Sequence, residues 1–440
     1  VNISILAAGA GGMYCGSCMR DSALAHGLRN IGHVVTLIPL YTPLRNERDI
    51  GTTGDVFYGG VNVYLQHATR LFRRTPRMLD WVFDRPWLLN MAGRMANTKS
   101  PADLAGLTVD ILRGEDGAEA KELNRLTDFL RDTIKPDVIV LPNLMFVGMA
   151  REFRRRIGVP IVCELTGEDI FLDQMKPADR SKVREIIRSR ARDVIKFVAT
   201  SRYYARRMAD YLSISNSDID VVYTGLSPEY FAPPAPAKPE KRPLTIGYVA
   251  RQCPEKGLGL LIEAMTMLRG KANLWDVRLK IAGYVGNRDA KWVRALKKRA
   301  ADMGMSDRIE WHGEIGMEEK IRLLDSIDVF TMPTTVAEPK GIPVLEAMAR
   351  GVAVVAPDHG AFPEMIKLTG GGTLVRPGDP EALADGLAAM FADDFGRREM
   401  GARAKRIVQE KFTERRMAYE MLNLFEGLQT HKTESVAAEV

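Results

Sequence analysis

Two carboxylates, Glu338 and Glu346, stand with seven residues between them in FTMPTTVAEPKGIPVLEAMARGVAVVAP, the stretch from Phe330 to Pro357. The segment reads as a strand (Asp328 to Pro333), a loop carrying Glu338 and Gly341, a short helix holding Glu346, and an apolar strand from Val352 to Ala356. Pro343 near the first turn and Gly351 just past the end give that helix its expected asymmetry. A helix entered from a strand end aims free backbone N–H groups above a parallel sheet, which suits a phosphate. Carboxylates repel phosphate and accept hydrogen bonds from hydroxyls. The pair therefore asks for a ligand with phosphate in the middle and hydroxyls on both sides. A nucleotide diphosphate sugar has that layout.

Arg251 and Lys256, in VARQCPEKGLGLLIEA, supply cations at another strand end just before a helix. Arginine offers a planar fork and lysine a point charge, so the two can grip different oxygens of a diphosphate. Each charge-assisted contact of this kind contributes roughly 1.5–3 kcal/mol.

These groups need a scaffold that brings strand ends together. Strand-length apolar runs occur at Ile3–Ala8, Val34–Pro39, Val138–Leu141, Ile161–Leu165, Lys196–Ala199 and Val221–Tyr223. Amphipathic stretches such as Ser17–Ile31 and Leu144–Ile157 lie between them. The alternation pauses at SPEYFAPPAPAKPEKRP and restarts at Leu244–Ala250, Arg278–Ala282, Ile309–Trp311, Val329–Met332, Val352–Ala356 and Gly372–Val375. Continuous apolar strands separated by helices predict parallel sheets covered on both faces. The expected organisation is a first α/β domain over 1–226, a semi-rigid linker over 227–243 and a second α/β domain over 244–413. A helix over 414–430 closes the second domain or crosses back to the first, and 431–440 is a frayed tail. Ligands of such sheets bind at the carboxyl ends of the strands.

Composition agrees with this class and excludes others. The 440 residues are 46% hydrophobic and 27% charged, as in a soluble globular protein of two domains. A net charge of +6 is a modest surplus that selects no partner, and nucleic acid is not expected. Four cysteines make a disulfide framework improbable. Val1 to Gly9 lacks a basic n-region and reads as a first buried strand, so no secretory signal is expected. The longest apolar run, Val138 to Ala150, holds Pro142 and Asn143 and falls short of the ~20 residues of a membrane span. Gly59 to Pro101, with Arg70, Arg73, Arg74, Arg77, Trp81 and Trp87, suits an acceptor pocket, anionic lipid or a solvated excursion.

Two further patterns carry less. The glycines at Gly9, Gly11, Gly12 and Gly16 imitate a dinucleotide fingerprint, but Tyr14 occupies the place of its third glycine. Ile38-Pro39-Leu40 stand where the ribose-binding acid would end the second strand, so NAD is not expected. Cys15 and Cys18 have the spacing of a redox pair or half a zinc site, yet Cys163 and Cys253 are isolated and the six histidines are scattered, so the other zinc ligands are not supplied. His359 lies at a strand end within reach of the ligand region; a structural role is the simpler reading.

With these landmarks in order, the chain resembles the retaining glycosyltransferases of the two-domain GT-B fold, family four, the glycosyl transferase group 1 set. The resemblance runs through LAHGLRNIGHVVTLI, IGVPIVCELTGED, VATSRYYARRM, VVYTGLSPEYFAP, IEWHGEI, the paired-Glu segment and GGTLVRPGDPEALADGL. It implies two Rossmann-like doubly wound parallel-sheet domains facing across a cleft. It also implies transfer of a sugar from a nucleotide diphosphate-sugar co-substrate to a sugar, lipid-linked or small-molecule acceptor, with anomeric retention and no metal. The expected place is the cytoplasm, including the inner face of a membrane through peripheral contact.

By the same resemblance, Arg251 and Lys256 hold the leaving diphosphate and Glu338 contacts donor-sugar hydroxyls. Gly341, Ile342 and Val344 offer backbone N–H groups, Glu346 takes the ribose hydroxyls, and His312, Gly313 and Ile315 lie along the base. Gly11 and Gly12 let the first domain's loop approach the phosphates without a Cβ clash. The chain departs from the family pattern in three places. Lys340 replaces a bulky apolar residue, Pro343 removes one N–H donor, and Thr166 stands where a histidine is frequent. Asn143, Glu168 and Asp169 join Thr166 as acceptor-side candidates. A sugar-nucleotide epimerase, a phosphorylase and a non-catalytic nucleotide-sugar-binding protein are the competing readings.

Overall fold

The computed structural model describes residues 1–9, 16–41, 103–233, 242–271 and 274–438, with side chains to residue 428. Gly11, Gly12, Cys15, the basic stretch 59–101 and the Pro- and Lys-rich residues 234–241 lie outside the described residues. The chain divides into two compact units: Val1–Gly225 together with Glu414–Val440, and Leu226–Thr413.

The first unit is built on six parallel strands: β1 (Asn2–Ala7), β2 (Val34–Pro39), β3 (Val138–Leu141), β4 (Ile161–Leu165), β5 (Lys196–Ala199) and β6 (Ile219–Val221). Their spatial order is β2-β1-β3-β4-β5-β6. The strands are apolar along their length because both faces are buried. Leu6, Ile139 and Cys163 pack on one side of the sheet, and Ile3, Val140 and Val162 on the other. The last strand begins at Ile219 rather than Val221, because Ile219 is buried opposite Phe197.

The stretch Leu144–Ile157, expected as one helix, splits into a 3-10 segment (Leu144–Met149) and an α-helix (Ala150–Arg156). The cause is close backbone packing at Gly148, where a Cβ would stand 2.5 Å from the carbonyl oxygens of both Ile111 and Leu112.

Helix Glu414–Ala438 belongs to this first unit and packs on helix Gly16–Asn30. Met417, Met421 and Phe425 complete the core beneath Ile3 and Val162. Gly27 permits the approach: a Cβ there would lie 2.6 Å from Glu414 O. His26 Nδ1 meets Glu414 Oε1 at 2.6 Å. Residues 431–438, read from sequence as a frayed tail, continue the helix. They contain no glycine or proline to stop it.

The second unit carries β7 (Thr245–Val249), β8 (Arg278–Ala282), β9 (Ile309–Gly313), β10 (Val329–Thr331), β11 (Ala353–Pro357) and β12 (Gly372–Val375), all parallel. Their order is β12-β11-β10-β7-β8-β9. Counted from its own first strand this is the doubly wound 3-2-1-4-5-6 arrangement. The chain moves outward from β7 to β9, then returns to place β10 on the other side of β7. The loops leaving β7 and β10 therefore diverge at a topological switch point.

Part of the segment read as a linker is folded structure of this unit. Pro228–Phe231 forms a 3-10 turn with Tyr230 buried. The Arg350 guanidinium binds the carbonyls of Tyr230, Ala232 and Pro233 at 2.9, 2.7 and 3.3 Å, and pairs with Asp325 at 2.7 Å. Proline content resembles a spacer in the sequence, whereas the anchor comes from a residue more than a hundred positions away.

Candidate active site

Three loops at the carboxyl ends of β7, β10 and β11 are tied into one structure. Beyond β7 the chain runs through Arg251 into a 3-10 turn, Pro254–Lys256, then through Gly257 into helix Leu258–Leu268. Gly257 has φ of +74°, and a Cβ on it would fall 1.7 Å from the carbonyl oxygen of Pro333, in the loop after β10. The same two loops are joined where Thr335 N–H and Thr334 Oγ1 donate to Glu255 O at 2.9 and 2.8 Å. The loop after β11 adds Ala361 N–H to Glu338 O at 2.8 Å and His359 Nε2 to Thr334 O at 2.9 Å. His359 thus braces the loops.

This arrangement delivers Lys256 to Glu338: Nζ lies 2.5 Å from Oε2. Glu338 is only 6% exposed. Burial pushes its carboxyl up, but the ammonium of Lys256, the charge of Lys340 and the Gly341 N–H outweigh it, and the group sits below the usual carboxylate range. A carboxylate depressed in the folded state contributes stability that is fully present above the unfolded value, near 4.3, and is lost as pH falls through the folded value. Glu338→Gln is therefore expected to flatten the acid limb of a plot of urea midpoint against pH. An acid limb identical to the wild type would show that Glu338 is not held ionised by these neighbours.

Arg251 follows β7 on the exposed side of the same loop, its Nε 3.2 Å from Cys253 Sγ and its guanidinium 3.8 Å from Glu255. The buried phenol of Tyr248 lies 3.3 Å from the carbonyl oxygens of both Arg251 and Lys256 and so fixes the loop from below. Gly341, with φ of +62°, caps helix Ile342–Ala349 without a side-chain hydrogen bond. Of the three amides expected to face a ligand, Gly341 N–H points to Glu338 Oε1 at 3.5 Å and Val344 N–H is committed to Gly341 O at 3.0 Å. Ile342 N–H has no acceptor among the described residues, so the amide donor set is smaller than the sequence implied. Lys340 is half-buried beside them.

Glu346 lies inside that helix, buried, with Tyr230 and Lys320 on its Oε1. His312, Gly313 and Ile315 stand at the end of β9 and just beyond, two strands from β7. His312 Nε2 is 3.5 Å from Glu310, and the Gly313 carbonyl accepts from Gly283 N–H at 2.5 Å.

The four acceptor-side candidates come together in the first unit, at the ends of β3 and β4. Both oxygens of Glu168 are occupied by backbone, from Thr166 N–H at 2.8 Å and Leu144 N–H at 3.3 Å. Burial pushes its carboxyl up, partly offset by those amides. Asp169 accepts from Tyr204 at 2.7 Å and from Arg207 at 3.1 Å. Asn143 caps Met145 N–H at 3.0 Å, and Thr166 Oγ1 lies 3.4 Å from Pro142 O. All four side chains hold loop geometry.

Sequence reasoning missed Tyr248, Tyr230 and Lys320. Lys320 left a signal: it heads the apolar face formed by Leu323, Leu324 and Ile327, where a lysine needs a buried partner. Tyr230 and Tyr248 left none. Among the described residues no group of three or more His, Cys, Asp or Glu side chains is placed to hold a metal ion. No described helix is long and apolar enough to cross a membrane.

Residues 232–407, nearly the whole second unit, match the family model for glycosyl transferases group 1. The match is to that unit alone, and the fold of the chain is that of the GT-B glycosyltransferases. It is 38% identical to the amylovoran biosynthesis glycosyltransferase AmsK of Erwinia amylovora over 148 residues, 32% of this chain and 35% of that protein. Against a GDP-mannose-dependent alpha-(1-6)-phosphatidylinositol monomannoside mannosyltransferase of Mycolicibacterium smegmatis it is 28% identical, covering 62% of this chain and 72% of the relative. The first curated relatives are matched over about half their length or less. The crystal structure of Anabaena HepE in complex with UDP superposes with a TM-score of 0.69 over 97% of this chain and all of that one, at 15% identity.

Proposed function

We propose that the chain transfers a sugar from a nucleotide diphosphate-sugar donor to an acceptor hydroxyl, with retention at the anomeric carbon and without a metal ion. The observation that carries this reading is the Lys256–Glu338 pair at the switch point of the second sheet. It sets a cation for phosphate beside a carboxylate for sugar hydroxyls. The bond from the anomeric carbon to the phosphate oxygen breaks, and the electron pair leaves with the nucleoside diphosphate. Arg251, Lys256 and the Ile342 N–H stabilise that developing negative charge. These two cations do the work a metal would do on the diphosphate. The acceptor oxygen attacks from the face the phosphate leaves, and its proton passes to the departing phosphate oxygen, which gives retention without an enzyme nucleophile.

The name of the mycobacterial relative, with its GDP-mannose, and the UDP held by HepE favour a nucleoside diphosphate leaving group. The names of the relatives also favour a glycan or lipid-linked acceptor. Asn143, Thr166, Glu168 and Asp169 remain acceptor-side candidates as the frame of the loop rather than as free acids. A thermal-shift panel of UDP, GDP and ADP tests the donor class. At 100 times its dissociation constant the right diphosphate adds about 2.7 kcal/mol of stability. No shift with any of the three would sink the proposal. Turnover of donor alone, with epimerised product, would replace transfer by epimerisation.

A further inference from the structure

Glu346 is 2% exposed and sits in an otherwise apolar helix, IPVLEAMA. A buried carboxylate needs donors, and this one is held from two sides at a single oxygen. The Tyr230 phenol donates to Oε1, and the Lys320 ammonium stands 2.6 Å from the same atom. Lys320 also lies 5.4 Å from the centre of the Tyr230 ring, so the three side chains form one cluster. Arg350, four residues beyond Glu346, grips the carbonyls of Tyr230, Ala232 and Pro233 and so anchors the backbone that carries the phenol. Two donors use both lone pairs of Oε1. Oε2 accepts no hydrogen bond among the described residues, which leaves it for a ligand.

We propose that Tyr230 and Lys320 are positioning residues for donor recognition: they clamp Glu346 through Oε1 so that Oε2 alone reads the ribose hydroxyls of a nucleoside diphosphate. The inference rests on the reading of Glu346 as the ribose-binding carboxylate. A loose glutamate would rotate and trade the hydroxyl for water. A clamped one is preorganised, and a site built around a hydroxyl discriminates against the analogue that lacks it. Reading through one oxygen also makes one ribose hydroxyl matter more than the other.

The test measures binding of whichever of UDP, GDP and ADP binds best, and of its 2′-deoxy and 3′-deoxy counterparts, to the wild type, Tyr230→Phe and Lys320→Met. In the wild type, removing the hydroxyl that is read should weaken binding about 10-fold. In Tyr230→Phe the ribose form should weaken about 5- to 10-fold while that deoxy form hardly changes, so the discrimination shrinks to about 2-fold. Donor KM should rise with kcat nearly unchanged. Lys320→Met should act in the same direction; if it fails to fold, Tyr230→Phe, which removes one oxygen atom, decides alone. Equal weakening of ribose and deoxy ligands in Tyr230→Phe would reduce the cluster to a structural role and overturn the proposal. Wild-type protein that binds the diphosphate but ignores both hydroxyls would overturn it too, with the donor class intact. Wild-type protein that binds none of the diphosphates would remove the donor reading and this inference together.

Discussion

Lys256→Ala should lower sugar transfer by about 10²–10³-fold, the usual effect of removing one preorganised group from a site of developing charge. Lys256 meets the leaving group where charge builds, so the loss should fall mainly on kcat and persist at saturating donor. Glu338→Ala should reach a similar loss by a different route, through the sugar hydroxyls rather than the phosphate. The two residues touch, at 2.5 Å, so the double variant should lose less than the sum of the single losses. Lys256→Ala also leaves a buried carboxylate without its nearest cation, at a cost of about 1.5–3 kcal/mol in stability. The far-ultraviolet spectrum and a cooperative melt should nevertheless survive. Full transfer by both single variants would remove the mechanism.

Gly257→Ala should destabilise the second unit by about 4 kcal/mol or more, placing it among the most damaging single substitutions. Two effects add. The backbone sits at φ of +74°, where an L side chain costs about 1–2 kcal/mol. The new Cβ would also fall 1.7 Å from Pro333 O, a backbone atom that cannot swing away. Relief requires parting the β7 and β10 loops, which also separates Lys256 from Glu338. Gly378 provides the control. Its φ is +71°, yet nothing lies within 4 Å of a built Cβ, so Gly378→Ala should lose only about 1–2 kcal/mol. Urea melts of the two variants check the difference. Equal losses would mean that conformational strain, and not the crossing of the two loops, makes Gly257 necessary.

Which strands exist could be read from short apolar runs, because a sheet covered on both faces demands them. Arg278–Ala282 and Gly372–Val375 begin and end as expected, and the other strands of the second unit shift by a residue or two. Glu338, Arg251 and Lys256 could be read because strand ends followed by helices gather polar groups. Tyr230 was hidden in a Pro-rich stretch whose composition looks like solvent-exposed spacer, and its value lies in a partner 116 positions away. The Val344 amide was overcounted because a sequence cannot show that Gly341 O takes it.

The sequence by itself determined the alternation of strand and helix, the two sheets, and which residue types stand at the carboxyl ends of the second one. Periodicity and turn chemistry act over a few residues, so they survive in one dimension. Only the tertiary structure decided that helix Glu414–Ala438 seats on helix Gly16–Asn30, that Glu168 and Asp169 are occupied in holding loops, and that Glu346 is clamped by Tyr230 and Lys320. Each of these outcomes depends on which buried donor finds which acceptor across long stretches of chain, a pairing set by packing and absent from any local pattern.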